Sequence, residues 1–189
     1  MITWIAFFRG INVGGNNIVP MASLTALLSD LGLTNIATYI QSGNVVFHCV
    51  EADPETLAES IASEIEARHG FRPKLLLISL EQLERAVASN PFSEAEDVPK
   101  TLHLFFLTEP AAQPDLDALD TARTPSERFR IIDKVFYLHA PDGIGRSKLA
   151  AQVERYLGVD ATARNWRTVL KTLELARQCE SAGLSSPQG

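Results

Sequence analysis

The sequence predicts an α+β protein made of two ferredoxin-like βαββαβ halves. The second half lacks most of its last strand, and a C-terminal helix follows it. Three observations carry this reading. Short apolar stretches rich in β-branched residues and helical stripes follow one another in the order βαββαβ over residues 2–78. A similar order begins again at Leu102. Each half also holds a hairpin signal, Gln41-Ser42-Gly43-Asn44 in the first and Asp133-Lys134 in the second.

Ile2 to Phe8 reads as a buried strand, β-branched and aromatic with no breaker. Pro20 to Leu31 reads as a helix. Pro20 suits its first position, Gly32 its stop, and Leu24, Leu27, Leu28 and Leu31 form one apolar stripe. Ile36–Ile40 and Val45–Cys49 are short strands on either side of the first hairpin turn. Pro54 to Arg68 is a second helix with Leu57, Ile61 and Ile65 on one face and Gly70 beyond it, and Lys74–Ile78 is a further strand. Leu80–Ala88 is a helix, and 90–100 is an acidic loop with two prolines.

In the second half, Leu102–Leu107 is a strand, Pro114–Ala122 a helix, and Arg128–Ile132 and Val135–His139 a hairpin. Arg146–Leu157 is a helix stopped by Gly158. The last strand shrinks to a few residues near Ala161–Ala163, and a final helix runs from about Asn165 to Gln178. The expected organisation is therefore a first half at 1–79, a helix and linker at 80–100, a second half with its helix at 101–180, and a flexible tail at 181–189. If the halves repeat, the strands at 102–107 and 135–139 are antiparallel neighbours, with His103 and His139 at the same end.

A chain of 189 residues buries roughly 70% of its unfolded surface, enough for a core without staples. Its net charge of −6 argues against a general nucleic-acid coat protein. The charge is uneven: residues 140–189 hold seven Lys and Arg against five Asp and Glu, so the remainder carries −8. Cys49 and Cys179 lie far apart and in no Cys-x-x-Cys motif, which fits a reducing compartment. With no leader pattern and no long apolar run, a cytoplasmic protein with no membrane partner is expected.

The stretch 9–17 looks least like plain scaffold. Arg9, Gly10, Asn12, Gly14, Gly15 and Asn16 lie between a strand and a helix, where backbone N–H groups and a cation suit an anion. The glycine spacing is not that of a dinucleotide fold, and no Gly-Lys-Ser/Thr follows. The competing reading is a tight turn whose glycines supply positive φ and whose asparagines cap it. Ser42 and Asn44 belong to the hairpin expected at the same end of the sheet, so one polar surface is expected to join them to Arg9.

Arg146, Ser147 and Lys148 open a helix. Cations there oppose the helix dipole unless an anion lies near, whereas Ser147 alone suits a cap. Arg164, Arg167 and Lys171, at i, i+3 and i+7, would form one basic helix face opposite Trp166, Val169, Leu170 and Leu173. No His/Cys/Asp spacing resembles a metal site, and no nucleophile motif is present. The catalytic residues, the cofactor and the oligomeric state are not indicated.

Several motifs in this order resemble a bacterial family known only as domain-of-unknown-function family 1697. They are Phe-Arg-Gly-Ile-Asn-Val-Gly-Gly (8–15), Pro-Met-Ala (20–22), Thr-Tyr-Ile-Gln-Ser-Gly-Asn-Val-Val-Phe (38–47), Asn-Pro-Phe (90–92), Glu-Arg-Phe-Arg (127–130), Gly-Arg-Ser-Lys-Leu (145–149) and Thr-Ala-Arg-Asn-Trp-Arg-Thr-Val (162–169). The resemblance implies an α+β fold with a duplicated unit in a bacterial cytoplasm, and it implies no function. Binding of a phosphorylated small molecule or nucleotide, in a polar cleft between the halves, is the first functional expectation. An RNA-binding module is the alternative, though the acidic charge weighs against it and the core explains Phe7, Phe47 and Phe105 equally well. A ligand-free interaction scaffold is the third.

Overall fold

Two four-stranded antiparallel sheets organise the chain, with six α-helices among the described residues. The computed structural model describes residues 1–41 and 43–184. Residues 1–85 with those from 171 onward form one compact unit, and residues 86–170 form another. Among the described residues no helix is long and apolar enough to cross a membrane.

In the first unit, β1 (Ile2–Arg9) lies between β3 (Asn44–Cys49) and β4 (Lys74–Ser79), and β2 (Thr34–Tyr39) lies outside β3. β1 is buried from Thr3 to Phe8, because both sheet faces are covered. This is why it reads as a continuous apolar run rather than an alternation. Trp4, Ala6 and Phe8 share a cluster with Val45, Phe47 and Leu77 of the sheet. The same cluster takes in Leu24, Leu27 and Leu28 of α1 (Met21–Asp30) and Leu57, Ile61 and Ile65 of α2 (Pro54–His69). α2 is bounded by its own sequence signals. Asp53 accepts hydrogen bonds from the Glu55 and Thr56 N–H groups, and Gly70 stops the helix at φ 75° with its N–H on Glu66 O at 2.9 Å.

The opposite face of this sheet meets α6 (Trp166–Leu184). His48 pairs with Thr3 across β1 and β3, and a Cβ on Gly183 would lie 2.3 Å from its ring. The Cys179 thiol donates to Asn35 O at 3.2 Å, and Arg177 bonds to Glu84 of α3 (Leu80–Ala88) at 2.8 Å. The helix thus extends past the expected end at Gln178. Residues 181–184, expected in the tail, form its last turn, and 185–189 lie outside the described residues.

In the second unit, β5 (Leu102–Leu107) is central, between β7 (Val135–His139) and β8 (Ala161–Asn165), with β6 (Arg128–Ile132) outside β7. β5 and β7 are antiparallel neighbours, with Leu102 opposite His139 and His103 opposite Leu138. Phe105, Leu107, Phe136 and Leu138 pack with Leu119 of α4 (Leu116–Ala122) and with Leu149, Val153 and Leu157 of α5 (Lys148–Leu157).

The expected loss of the last strand is corrected here. β8 pairs with β5 through all five of its residues, from Ala161 opposite Leu107 to Asn165 opposite His103. Its Ala-Thr-Ala-Arg-Asn sequence has little β propensity, and pairing to a central strand overrides that local preference.

Candidate functional site

The Gly/Asn loop after β1 is a miniature hairpin. Val13 and Asn16 form an antiparallel bridge, Asn16 N–H donates to Val13 O at 3.1 Å, and Asn12 N–H donates to Asn17 O at 3.1 Å. Gly14 and Gly15 are its two central residues, both at positive φ (61° and 79°), as the two-residue turns that suit strand twist require. Asn17 Nδ2 ties the hairpin to Gly10 O at 3.0 Å. The glycines therefore sit at an exposed tip, and their N–H groups have no acceptor among the described residues.

Asn12 joins this hairpin to the β2–β3 turn. Its Nδ2 donates to Val19 O and to Gln41 O, both at 2.9 Å, and its Oδ1 accepts from Val19 N–H at 2.8 Å. Asn44 is buried, and its amide donates to Tyr39 O at 3.1 Å. The Asn16 side chain makes a long bond, from Nδ2 to Gly14 O at 3.5 Å. Gly43 completes the junction. Its carbonyl accepts from Phe8 N–H at 2.9 Å, and a Cβ there would lie 2.6 Å from both Phe8 Cβ and Ile11 Cδ1. Ser42, expected beside Arg9, lies outside the described residues. The amides of Asn12 and Asn44 are thus engaged with backbone carbonyls, and that of Asn12 ties the two loops together.

Arg9 is exposed at the end of β1. Phe8 faces the α1/α2 cluster, so by alternation Arg9 shares the other face with Phe7 and with Asn44, the partner of Phe7. Arg9 and Asn44 are then diagonal neighbours, at about 7–8 Å between Cα atoms. Directly opposite Arg9 on β4 stands Lys74, also exposed. The sequence reading passed over Lys74. The βαββαβ order carried the signal, because β4 beside an antiparallel β1 brings its first residue to the last residue of β1. Segments 9–20, 39–44 and 70–74 contain Arg9, Arg72 and Lys74 and no acidic residue. Arg72 bonds to Glu66 at 2.8 Å and to Glu59.

The remaining sequence candidates, Lys171 apart, lie in the second unit. Ser147 caps α5, accepting from Ala150 N–H at 2.9 Å, with exposed Arg146 and Lys148 on either side. The single basic face of Arg164, Arg167 and Lys171 is corrected. Asn165 Oδ1 accepts from Thr168 N–H at 2.9 Å, so α6 begins only at Trp166 and Arg164 belongs to β8. Arg164 is half-buried, its guanidinium donates to Ala163 O at 2.8 Å, and burial pulls its pKa down to about 10. Arg167 is exposed, and Lys171 bonds to Glu174 at 2.8 Å. Leu170, expected on the apolar face, is exposed.

One cluster in the second unit escaped sequence reasoning. Arg128 bonds to Glu94, donates to His139 Nδ1 at 3.0 Å and lies 5.0 Å from the Phe92 ring centroid. Asn90 Oδ1 accepts from Phe92 N–H at 3.1 Å. The Asn-Pro-Phe and Glu-Arg-Phe-Arg stretches thus meet, and neither has a spacing that announces it. Burial first, then Arg128, holds His139 below its ordinary pKa, with Glu94 opposing.

A family model described as a protein of unknown function (DUF1697) matches residues 1–137. The fold is similar to that of the conserved bacterial protein SP0830 from Streptococcus pneumoniae. The TM-score is 0.71 at 24% identity, over 93% of this chain and 98% of that one. No curated protein matches the chain.

Proposed function

We propose, for a chain that belongs to the DUF1697 family of proteins of unknown function, that the loop end of the first unit binds the anionic group of a phosphorylated small molecule or nucleotide. The observation that carries this reading is the cross-strand pair Arg9 and Lys74. Both stand exposed at the loop end of the sheet, where two cations side by side suit an anionic group. The N–H groups of Gly14 and Gly15 add donors of the kind that line anion-binding loops. Asn12, Asn44 and Gly10 serve by holding this surface in shape. A cytoplasmic setting belongs to the same reading, supported by two buried free cysteines.

We also read the two sheets as ferredoxin-like repeats. The support is strand order: β2-β3-β1-β4 and β6-β7-β5-β8 are the same relative order counted from the first strand of each unit.

The test is thermal protection by phosphate and pyrophosphate in wild type, Arg9→Ala and Lys74→Ala. Either substitution should abolish protection and change the unliganded stability by less than about 0.5 kcal/mol, as for an exposed surface residue. A loss of about 1–3 kcal/mol in Arg9→Ala without ligand, as when a charge-assisted hydrogen bond is removed, would assign Arg9 a structural role instead.

A further inference from the structure

We propose that Arg128, Glu94 and His139 form a pH-sensitive clasp in the second unit. It holds the 3-10 turn Ser93–Ala95 to the β6–β7 hairpin while His139 is neutral, and lets the turn go when the ring takes a proton.

Every link of the clasp is a contact. Arg128 and His139 stand directly opposite each other on β6 and β7. One nitrogen of the guanidinium, Nη2, bonds to Glu94 Oε1 and donates to His139 Nδ1 at 3.0 Å. The turn is thus tied to the hairpin through an atom whose other partner is a histidine. The guanidinium carbon lies 5.0 Å from the centroid of the buried Phe92 ring, which is 6.2 Å from that of His139. The turn's own bonds stay within 90–96. Asn90 Nδ2 donates to Glu96 at 2.7 Å, Ala95 N–H to Phe92 O at 2.9 Å and Glu96 N–H to Ser93 O at 3.2 Å.

The chemistry of the pair makes it one-sided. A guanidinium has donors and no acceptor, and it keeps its charge. It can bond to His139 Nδ1 only while that nitrogen keeps its lone pair, so the bond selects the neutral ring with its proton on Nε2. A proton on Nδ1 turns the acceptor into a donor and sets two positive charges side by side. An amide could answer by turning its oxygen round, and an arginine has no such oxygen. Arg128 and Glu94 are about half-exposed, so the guanidinium has solvent to move into.

The charged groups acting on the ring are Arg128 from β6 and Glu94 from the turn. Leu102, across on β5, is apolar, and His103 beside it faces the other side of the sheet by alternation. Burial and then Arg128 hold His139 below its ordinary pKa, against the pull of Glu94. A ring whose pKa is lowered in the closed form takes its proton more readily in the open form. The clasp is therefore closed above about pH 6.5 and opens as the pH falls below that value.

Two measurements on the full chain test this. Nuclear magnetic resonance gives the His139 pKa in wild type and in Arg128→Ala. Hydrogen exchange at Ala95 and Glu96, corrected for its intrinsic pH dependence, gives the opening of the turn at pH 7.5 and 5.5, with Phe105 in the central strand reporting global unfolding. The wild-type pKa should lie below 6.5 and rise in Arg128→Ala. Opening of the turn should increase on acidification, approaching about tenfold for each unit by which the measured pKa lies below 6.5. In His139→Gln, whose amide oxygen accepts from Arg128 without titrating, the opening should not change with pH. A His139 pKa that does not rise in Arg128→Ala overturns the clasp, as does wild-type protection that is equal at both pH values. An acid-induced opening that persists in His139→Gln overturns it too. If His139→Gln does not fold, the Arg128→Ala comparison decides alone, since Arg128 is exposed.

Discussion

Acidification from pH 7.5 to 5 should destabilise this protein through one histidine more than any other. His103 stands on β5, 7% exposed, opposite Leu138 on one side and Asn165 on the other. Its Nδ1 has no hydrogen-bond partner among the described residues. Burial drives its pKa from 6.5 down to about 4, and a hydrogen bond to the Thr101 backbone opposes that only in part. The folded state therefore holds the ring neutral, while the unfolded chain protonates it near pH 6.5. Stability is fully present above that pH and is lost as the pH falls toward 4. Each pH unit inside the window costs about 1.4 kcal/mol, so the whole shift corresponds to about 3 kcal/mol, of which about 2 kcal/mol is gone by pH 5. Urea unfolding at pH 7.5 and pH 5 checks this, with His103→Gln as the non-titrating reference. His48 and His139 are also held below their ordinary pKa, mainly by burial, and they titrate equally in both proteins. Wild type should lose about 2 kcal/mol more than the variant between the two pH values. Equal losses would refute the assignment of a neutral, buried His103.

Gly43→Ala places a Cβ 2.6 Å from Phe8 Cβ and Ile11 Cδ1 at a φ of 74°, so overpacking and left-handed strain act together. Chemical denaturation should show a loss of about 2–4 kcal/mol. Ser147→Ala removes the side chain that accepts Ala150 N–H at the start of α5 and should cost about 1 kcal/mol, with Ser147→Asp restoring most of it. If Ser147→Ala leaves the midpoint unchanged, the capping role is wrong.

Much of the fold was legible because its signals are local. Asp53-Pro54 and Gly70 bound α2, and Ser147 and Gly158 bound α5, with cap geometry to match. The leucines of α1 at positions 24, 27 and 28 are all fully buried. β8 and the end of α6 were misread because their determinants are not local. Ala-Thr-Ala-Arg-Asn becomes a strand through its partner β5. Ser-Ala-Gly at 181–183 resembles a tail in composition, yet a side chain at Gly183 would collide with the His48 ring. A glycine in a helix lowers its intrinsic stability. Its placement here follows from a contact 135 residues earlier in the chain, which no window of sequence contains.

The candidate surface illustrates a different limit. Polar composition drew attention to residues 9–17, and the asparagines were its most conspicuous feature. An asparagine amide donates and accepts at once, and that same capacity lets Asn12 bond Val19 on both sides and Gln41 as well. Its polarity is used up in folding the loop. Val13, Ile18 and Ile40 are exposed beside Asn16, Asn17 and Gln41, with exposed Arg9 and Lys74 on the neighbouring strand ends. Composition singles out the stretch, and its hydrogen bonds assign Asn12 to holding the loop together. A loop of this kind is better judged by what its hydrogen bonds leave over than by what it contains.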